Sequence, residues 1–215
     1  MKVTLIDYGA GNLPSVERAL LRLGVQSERT DSPEVLAAAS VVILPGVGHY
    51  AALIRALDKK GLRDALIAAI HRGIPFLGIC LGLQALYQRS DEAPELDGLQ
   101  ILRGSVRVLA GAVKLPHMGW NQVQRAPMGS MLLEGIDAAA YFYFAHSFAA
   151  IRQNDGHQHV GRQNRDSVAA RATCNYGTEF VAVAEKENVF GVQFHPEKSG
   201  DAGQRVLRNF LRLAT

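Results

Sequence analysis

Cys80 stands in the stretch Gly78-Ile79-Cys80-Leu81-Gly82-Leu83-Gln84, and far downstream the chain carries Phe194-His195-Pro196-Glu197-Lys198. A thiol, an imidazole and a carboxylate are the parts of a covalent acyl-transfer site. Sulfur attacks a carbonyl, the imidazole moves the proton, and the carboxylate orients the ring and stabilises its charged form. An apolar run from Pro75 to Ile79 leads into Cys80 and a helix-forming run from Leu81 to Gln88 follows it, so the cysteine is expected at a strand-to-helix turn. Such a turn needs small residues two before and two after the reactive one, and Gly78 and Gly82 meet that need. A helix start favours thiolate over thiol. The amide of Leu81, next in the chain, points to where an oxyanion would form.

His195 follows the apolar run Val189 to Phe194, which puts it at the C-terminal end of a strand, the edge where α/β sheets build their sites. Pro196 fixes the chain direction so that Glu197 can fold back toward the imidazole. Pro45-Gly46-Val47-Gly48 also ends a strand, and its glycines free the backbone to turn N–H groups toward the same pocket. The Gly46–Val47 peptide can flip, and the Val47 N–H completes an oxyanion hole in one orientation only; taken alone, the tetrapeptide reads equally well as an ordinary glycine turn. Gln84, one helical turn past Cys80, either holds the polar head of a substrate or covers the helix end. The single tryptophan, Trp120, lies between Gly119 and Asn121. Those neighbours suggest an exposed turn, where tryptophan is a favoured interface anchor. The aromatic run Tyr141 to Phe148 reads mostly as core, with Tyr143, His146 and Ser147 open to other roles.

The elements that must position these groups alternate in the first half between short β-rich runs and amphipathic helical ones, the pattern of a parallel sheet covered on both faces. Strands are predicted at Val3 to Ile6 and Val41 to Leu44, and helices at Ser15 to Leu23, from the Ser32-Pro33-Glu34 start, and at Leu62 to His71. From Leu99 onward the strands come closer together: Val106 to Leu109, Gly119 to Val123, Tyr141 to Phe148, Val168 to Ala172, Phe180 to Ala184 and Val189 to Phe194. Ala202 to Ala214 closes the chain as a helix. No repeat, low-complexity segment or linker interrupts it.

At 215 residues the chain fits one domain, 1–215. Its net charge of +3 is modest, with arginines beside acids as in Glu17-Arg18 and Arg63-Asp64, and no basic run is interleaved with aromatics, so nucleic-acid binding is not expected. Two cysteines, Cys80 and Cys174, do not make a disulfide framework. The first apolar run is short, contains Asp7 and lacks a basic leader, and no stretch is long enough to span a bilayer; a cytoplasmic protein without membrane contact is expected. Among seven histidines none forms a metal-ligand pattern, His157 and His159 lying beside the turn-like segment Arg152 to Gly156, and neither a metal nor another cofactor is expected.

Gly78-Ile79-Cys80-Leu81-Gly82 with His195-Pro196-Glu197 resembles the class I (triad) glutamine amidotransferases. Asp7 to Asn12, Pro45 to Gly48, Pro116 to Asn121 and Phe194 to Ser199 resemble one branch, the glutaminase subunits of imidazole glycerol phosphate synthases. The similarity runs from Lys2 to the final helix. It implies a flavodoxin-like α/β fold, with a mostly parallel central sheet flanked by helices and additional antiparallel strands in the second half. It implies that Cys80 attacks the side-chain amide of L-glutamine as nucleophile while His195 acts as general acid/base and Glu197 orients it. Val47 and Leu81 would form the oxyanion hole, and Gly46, Gly48, Gln84, Ser147 and Phe148 the glutamine pocket. Family members often carry tyrosine where this chain has Phe148, so that hydroxyl is missing. The ammonia would pass to a (β/α)₈-barrel cyclase partner in a heterodimer, with Asn12, Trp120, Tyr143 and Lys198 as contacts. The Pro-His-Met-Gly-Trp-Asn segment and the Pro-Gly-Val-Gly loop separate the chain from glutaminase subunits that serve chorismate-using enzymes.

Overall fold

Runs that are apolar at every position become strands buried on both faces, and runs with apolar residues three or four apart become the helices that cover them. The computed structural model describes residues 1–151 and 170–214. His157, His159, the segment at 152–156 and the first two residues of the strand expected from Val168 lie outside them. In chain order the elements are β1 (Lys2–Ile6), α1 (Leu13–Arg22), β2 (Gln26–Thr30), α2 (Pro33–Ala37), β3 (Val42–Gly46), α3 (Tyr50–Lys59), α4 (Leu62–His71), β4 (Phe76–Cys80) and α5 (Leu81–Gln84). There follow β5 (Arg89–Ser90), β6 (Ser105–Val108), β7 (His117–Gln122), β8 (Gln124–Arg125), β9 (Tyr141–His146), β10 (Phe148–Ala150), β11 (Ala170–Tyr176), β12 (Thr178–Lys186), β13 (Val189–Val192), a 3-10 turn (Pro196–Lys198) and α6 (Gly200–Leu213).

The main sheet has the order β2-β1-β3-β4-β13-β12-β11-β8. Its first five strands run parallel, and the last three are added antiparallel. The parallel part has the strand order of flavodoxin-like sheets. Side chains alternate along each strand, so Leu5, Ile43, Leu77, Ile79 and Val192 join one apolar layer with α1 and α6, while Ile6, Val42, Leu44 and Phe76 join the other with α2, α3 and α4. Each such fully buried aliphatic side chain contributes roughly 1.5–3 kcal/mol, which is why two-sided burial dominates the stability of these strands.

Several expectations need correcting. β2 was not anticipated because Gln26-Ser27-Glu28-Arg29-Thr30 is polar; it lies at one edge of the sheet, and its pairing with β1 rather than its own composition makes it a strand. α3 was likewise missed. The run after Cys80 is helical only to Gln84, because the carbonyls of Ala85 and Leu86 accept instead from Leu99, Ile101 and Leu102. The strand expected from Tyr141 to Phe148 breaks at Ser147: β9 pairs with β7, whereas Phe148 begins β10, which pairs with β6 in a separate sheet. Trp120 sits in β7 and not in a turn, yet it is exposed as anticipated.

Candidate active site

Because β1, β3, β4 and β13 are parallel, the segments leaving their carboxyl ends meet along one edge: Tyr8 after β1, Val47 after β3, Cys80 at the end of β4 and His195 just beyond β13. That edge is where open α/β sheets hold ligands. Strand gives way to helix at Cys80 itself, so the chain reverses within one residue, whose backbone takes φ 54° and ψ −106°. A non-glycine residue in such a conformation costs of order 1–3 kcal/mol and persists only where its surroundings impose it.

The surroundings here are three interlocked glycines. A methyl group on Gly82 would lie 1.9 Å from the Leu44 carbonyl oxygen, one on Gly78 2.6 Å from the Gly82 carbonyl, and one on Gly46 2.7 Å from Leu81 Cβ. The elbow is thereby pressed against β3, and any larger residue would drive it off.

The Cys80 sulfur is almost fully buried. The side-chain amide of Gln193 donates to it at 3.5 Å, its own S–H lies 3.9 Å from the Ala145 carbonyl, and it is near enough to His195 to act on that ring electrostatically. Nδ1 of His195 lies 2.9 Å from Oε1 of Glu197. Burial on its own would lower the His195 pKa; the charge and hydrogen bond of Cys80, with those of Glu197, outweigh it and raise the value to about 10. The ring is therefore held in its protonated form, with Glu197 accepting from Nδ1. Its backbone is fixed as well: the His195 N–H donates to the Tyr143 carbonyl at 2.9 Å, and the Ser199 hydroxyl donates to the His195 carbonyl at 2.7 Å. Sulfur, imidazole and carboxylate in this order can carry out nucleophilic attack on a carbonyl followed by proton transfer to a leaving group.

Cys80 opens onto a cleft of about 230 Å³ lined by Val47, Gly48, Leu81, Gln84, Glu92, Pro116, Ala145, His146, Ser147 and Phe148. Of the residues expected to surround a substrate, Gly48, Gln84, Ser147 and Phe148 all line it, and Gly46 lies at the end of β3 beneath it. Both amide hydrogens of Gln84 are committed, to the Phe148 carbonyl at 2.7 Å and to Gln193 Oε1 at 3.2 Å, which leaves its amide oxygen for a ligand. The Val47 N–H is directed away from the cleft, to the Tyr8 hydroxyl at 3.0 Å. His146, one of the residues open to other roles, also lines the cleft, but its Nδ1 donates to the Phe148 carbonyl at 2.9 Å; its Nε2 then accepts from His117 Nδ1 at 3.4 Å. That pair is a buried structural element beside the site.

Sequence reasoning missed Tyr8, Glu92 and Gln193. Glu92 is the one carboxylate among the described residues lining the cleft, and its Oε2 also accepts the Tyr50 N–H at the start of α3 at 2.9 Å. Gln193 carried a signal: a polar residue inside an apolar strand must find buried partners, and it is fully buried.

The residues expected to meet a partner are grouped beside His195. Trp120 is 55% exposed and lies opposite Tyr143 across the β7–β9 ladder, their rings edge to face at 5.9 Å. The Lys198 ammonium lies over the Tyr143 ring, 5.5 Å from its centre. Asn12 precedes α1 as its cap residue, and α1 packs on the turn that carries Lys198. Among the described residues no helix is long and apolar enough to cross a membrane.

Residues 4–214 match the glutamine amidotransferase class-I family. The chain is 45% identical over 208 residues to the imidazole glycerol phosphate synthase subunit HisH of Moorella thermoacetica, covering 97% of this chain and 93% of that protein. To the HisH subunit of Methanothermobacter thermautotrophicus it is 43% identical over 211 residues, covering 98% of each. Among solved structures it is similar to a glutamine amidotransferase, with a TM-score of 0.73 at 21% identity over 99% of this chain and 98% of the other. It is also similar to PurLQS from Thermotoga maritima, with a TM-score of 0.70 at 18% identity over 100% and 99%. At these identities the two structures attest the fold alone.

Proposed function

The chain belongs to the class-I glutamine amidotransferase family, and from that premise we propose that it is the glutaminase subunit of an imidazole glycerol phosphate synthase, supplying ammonia for histidine biosynthesis. The observation that carries the reading is the grouping of Cys80, His195 and Glu197 beside a cleft, with His195 hydrogen-bonded to Glu197 and electrostatically coupled to Cys80, in a protein whose relatives over nearly its whole length are HisH subunits. We read 1–215 as a single glutamine amidotransferase domain acting in the cytoplasm.

Glutamine enters the cleft with its side-chain amide toward Cys80. Its α-ammonium pairs with the Glu92 carboxylate, and Gln84, Gly48, Ser147 and Phe148 enclose the rest. The sulfur attacks the amide carbon; the Leu81 and Val47 N–H groups hold the resulting oxyanion. His195 gives its proton to the departing nitrogen, so ammonia leaves and a thioester remains. Water then attacks the thioester, His195 takes and keeps its proton, and the sulfur departs as thiolate while glutamate is released, which restores the starting pair. Glu197 keeps the ring oriented through both halves.

Ammonia released into water at neutral pH becomes ammonium, which is no nucleophile, so a glutaminase without a synthase domain needs a docked acceptor. We assign that place to the (β/α)₈-barrel cyclase, which joins the ammonia to its nucleotide and forms imidazole glycerol phosphate and an aminoimidazole carboxamide ribotide. Trp120, Tyr143, Lys198 and Asn12 form the docking face. The test is glutamate and ammonia production from glutamine, with and without the barrel and its nucleotide, for the wild type and Cys80→Ala. Low activity alone, high activity in the complex and none in the variant support the reading; turnover by the Cys80→Ala complex overturns it.

A further inference from the structure

A backbone carbonyl only accepts, and from that constraint the polarity of three buried groups follows. The Phe148 carbonyl is bonded by the Gln84 side chain at 2.7 Å, so the end of Gln84 that faces it is the amide nitrogen. The second hydrogen of that nitrogen goes to Gln193 at 3.2 Å. Gln193 therefore turns its oxygen to Gln84 and its own nitrogen to the Cys80 sulfur, 3.5 Å away. Both glutamines are buried, and Nδ1 of His146 donates to the same Phe148 carbonyl at 2.9 Å, which fixes the anchor of the chain.

We propose that Gln84 is a positioning residue for the nucleophile: through Gln193 it keeps a hydrogen-bond donor, and not an acceptor, against the Cys80 sulfur. The sulfur already faces one oxygen, the Ala145 carbonyl at 3.9 Å, which accepts an S–H and repels a thiolate. Were the Gln193 amide reversed, a second oxygen would face the sulfur, and the thiol would be favoured over the thiolate that attacks. Gln84 cannot supply the donor itself, since both its amide hydrogens are committed elsewhere. A carboxamide suits the middle of this chain because it accepts at one end and donates at the other; a carboxylate would place an oxygen at both. The proposal rests on the glutaminase reading for the identity of the nucleophile and gives Gln84 a second task there: its oxygen meets the substrate, and its nitrogen sets the surroundings of the sulfur.

Gln84→Met keeps the length of the side chain and removes its donors. In the full chain at neutral pH the ultraviolet absorbance of thiolate reports Cys80, since burial pushes the Cys174 pKa up to about 12. The ratio of thiolate to thiol should fall roughly tenfold in Gln193→Leu, the scale of one hydrogen bond to an anion, and roughly threefold or more in Gln84→Met. The double variant should fall no further than Gln193→Leu, because Gln84 acts only through Gln193. A Gln84→Met ratio equal to the wild type, or a double variant as low as the product of the two single effects, overturns the proposal; a glutamine that merely packs the helix end would give one or the other. If Gln84→Met does not fold, the unmodified protein decides. With isotope-labelled glutamine side chains, nuclear Overhauser contacts should join the Gln193 amide hydrogens to the Cys80 β-hydrogens, and an amide facing the other way overturns the proposal. Neither measurement uses glutamine, so absence of glutamine turnover in the wild-type complex sinks the glutaminase reading, while the thiolate ratios judge the role of Gln84 separately.

Discussion

Nδ1 of His195 lies 2.9 Å from Oε1 of Glu197, and the other oxygen of that carboxylate is buried without a hydrogen-bond partner among the described residues. A buried carboxylate with one partner depends on that partner's charge. Glu197→Gln preserves shape while removing the charge that favours imidazolium. We expect kcat of the complex to fall about 100-fold or more, within the usual range for general acid–base catalysis, with KM little altered because Glu197 does not line the cleft. Steady-state kinetics check this; a kcat within a few-fold of the wild type would reject the orienting role.

Glu92→Gln tests the charge proposed to meet the substrate's ammonium. The amide keeps an oxygen for the Tyr50 N–H, so the start of α3 stays capped. A hydrogen bond to a charged group is worth about 1.5–3 kcal/mol, so KM for glutamine should rise roughly tenfold or more while kcat changes little. An unchanged KM would remove Glu92 from substrate recognition.

Gln193 donates to the Cys80 sulfur at 3.5 Å from a fully buried position. Gln193→Leu removes that donor, while Gln84 keeps its bond to the Phe148 carbonyl. We expect alkylation of Cys80 by iodoacetamide at neutral pH to slow roughly tenfold, the scale of one hydrogen bond to an anion. Mass-spectrometric rates equal to the wild type would reduce Gln193 to packing.

His117 and His146 are buried, and burial is the leading cause that lowers their pKa values, to about 4 and about 3. Unfolded histidine titrates near ~6.5, so unfolding takes up protons as the solution is acidified. The stability these groups contribute is complete above ~6.5 and is lost as pH falls toward their folded values. Denaturant unfolding measured in steps from pH 8 to pH 4 should show the loss. In His117→Phe, which keeps a ring between Phe144 and Tyr176, the slope should be shallower. An equally steep decline in the variant would count against this account.

Trp120→Ala should weaken association with the barrel by about 2 kcal/mol or more, as expected of an exposed aromatic anchor at a hot spot. Titration calorimetry giving wild-type affinity would move the docking face elsewhere.

What could be read from the chain alone was local. Gly78, Cys80 and Gly82 announce an elbow because a reversal within one residue tolerates only small neighbours. His195, Pro196 and Glu197 announce a paired imidazole and carboxylate because the groups lie two residues apart on a chain whose direction proline restricts. The helix from Leu62 to His71 was legible to the residue, since apolar spacing and Gly73 mark its extent. The alternation of elements was enough for a parallel sheet.

Contacts across the sheet decided the rest. Cys80 meets Gln193 over a separation of 113 residues because β4 and β13 are neighbours in register, and Tyr8 meets Val47 over 39 because β1 lies beside β3. Strand order is set by how two apolar layers close over both faces at once, a property of the whole chain that no single segment encodes. Polar β2 became a strand, the run after Cys80 stopped being a helix at Gln84, and the Val47 N–H turned from the cleft toward a tyrosine for the same reason: each backbone group takes the partner that the assembled fold brings within reach.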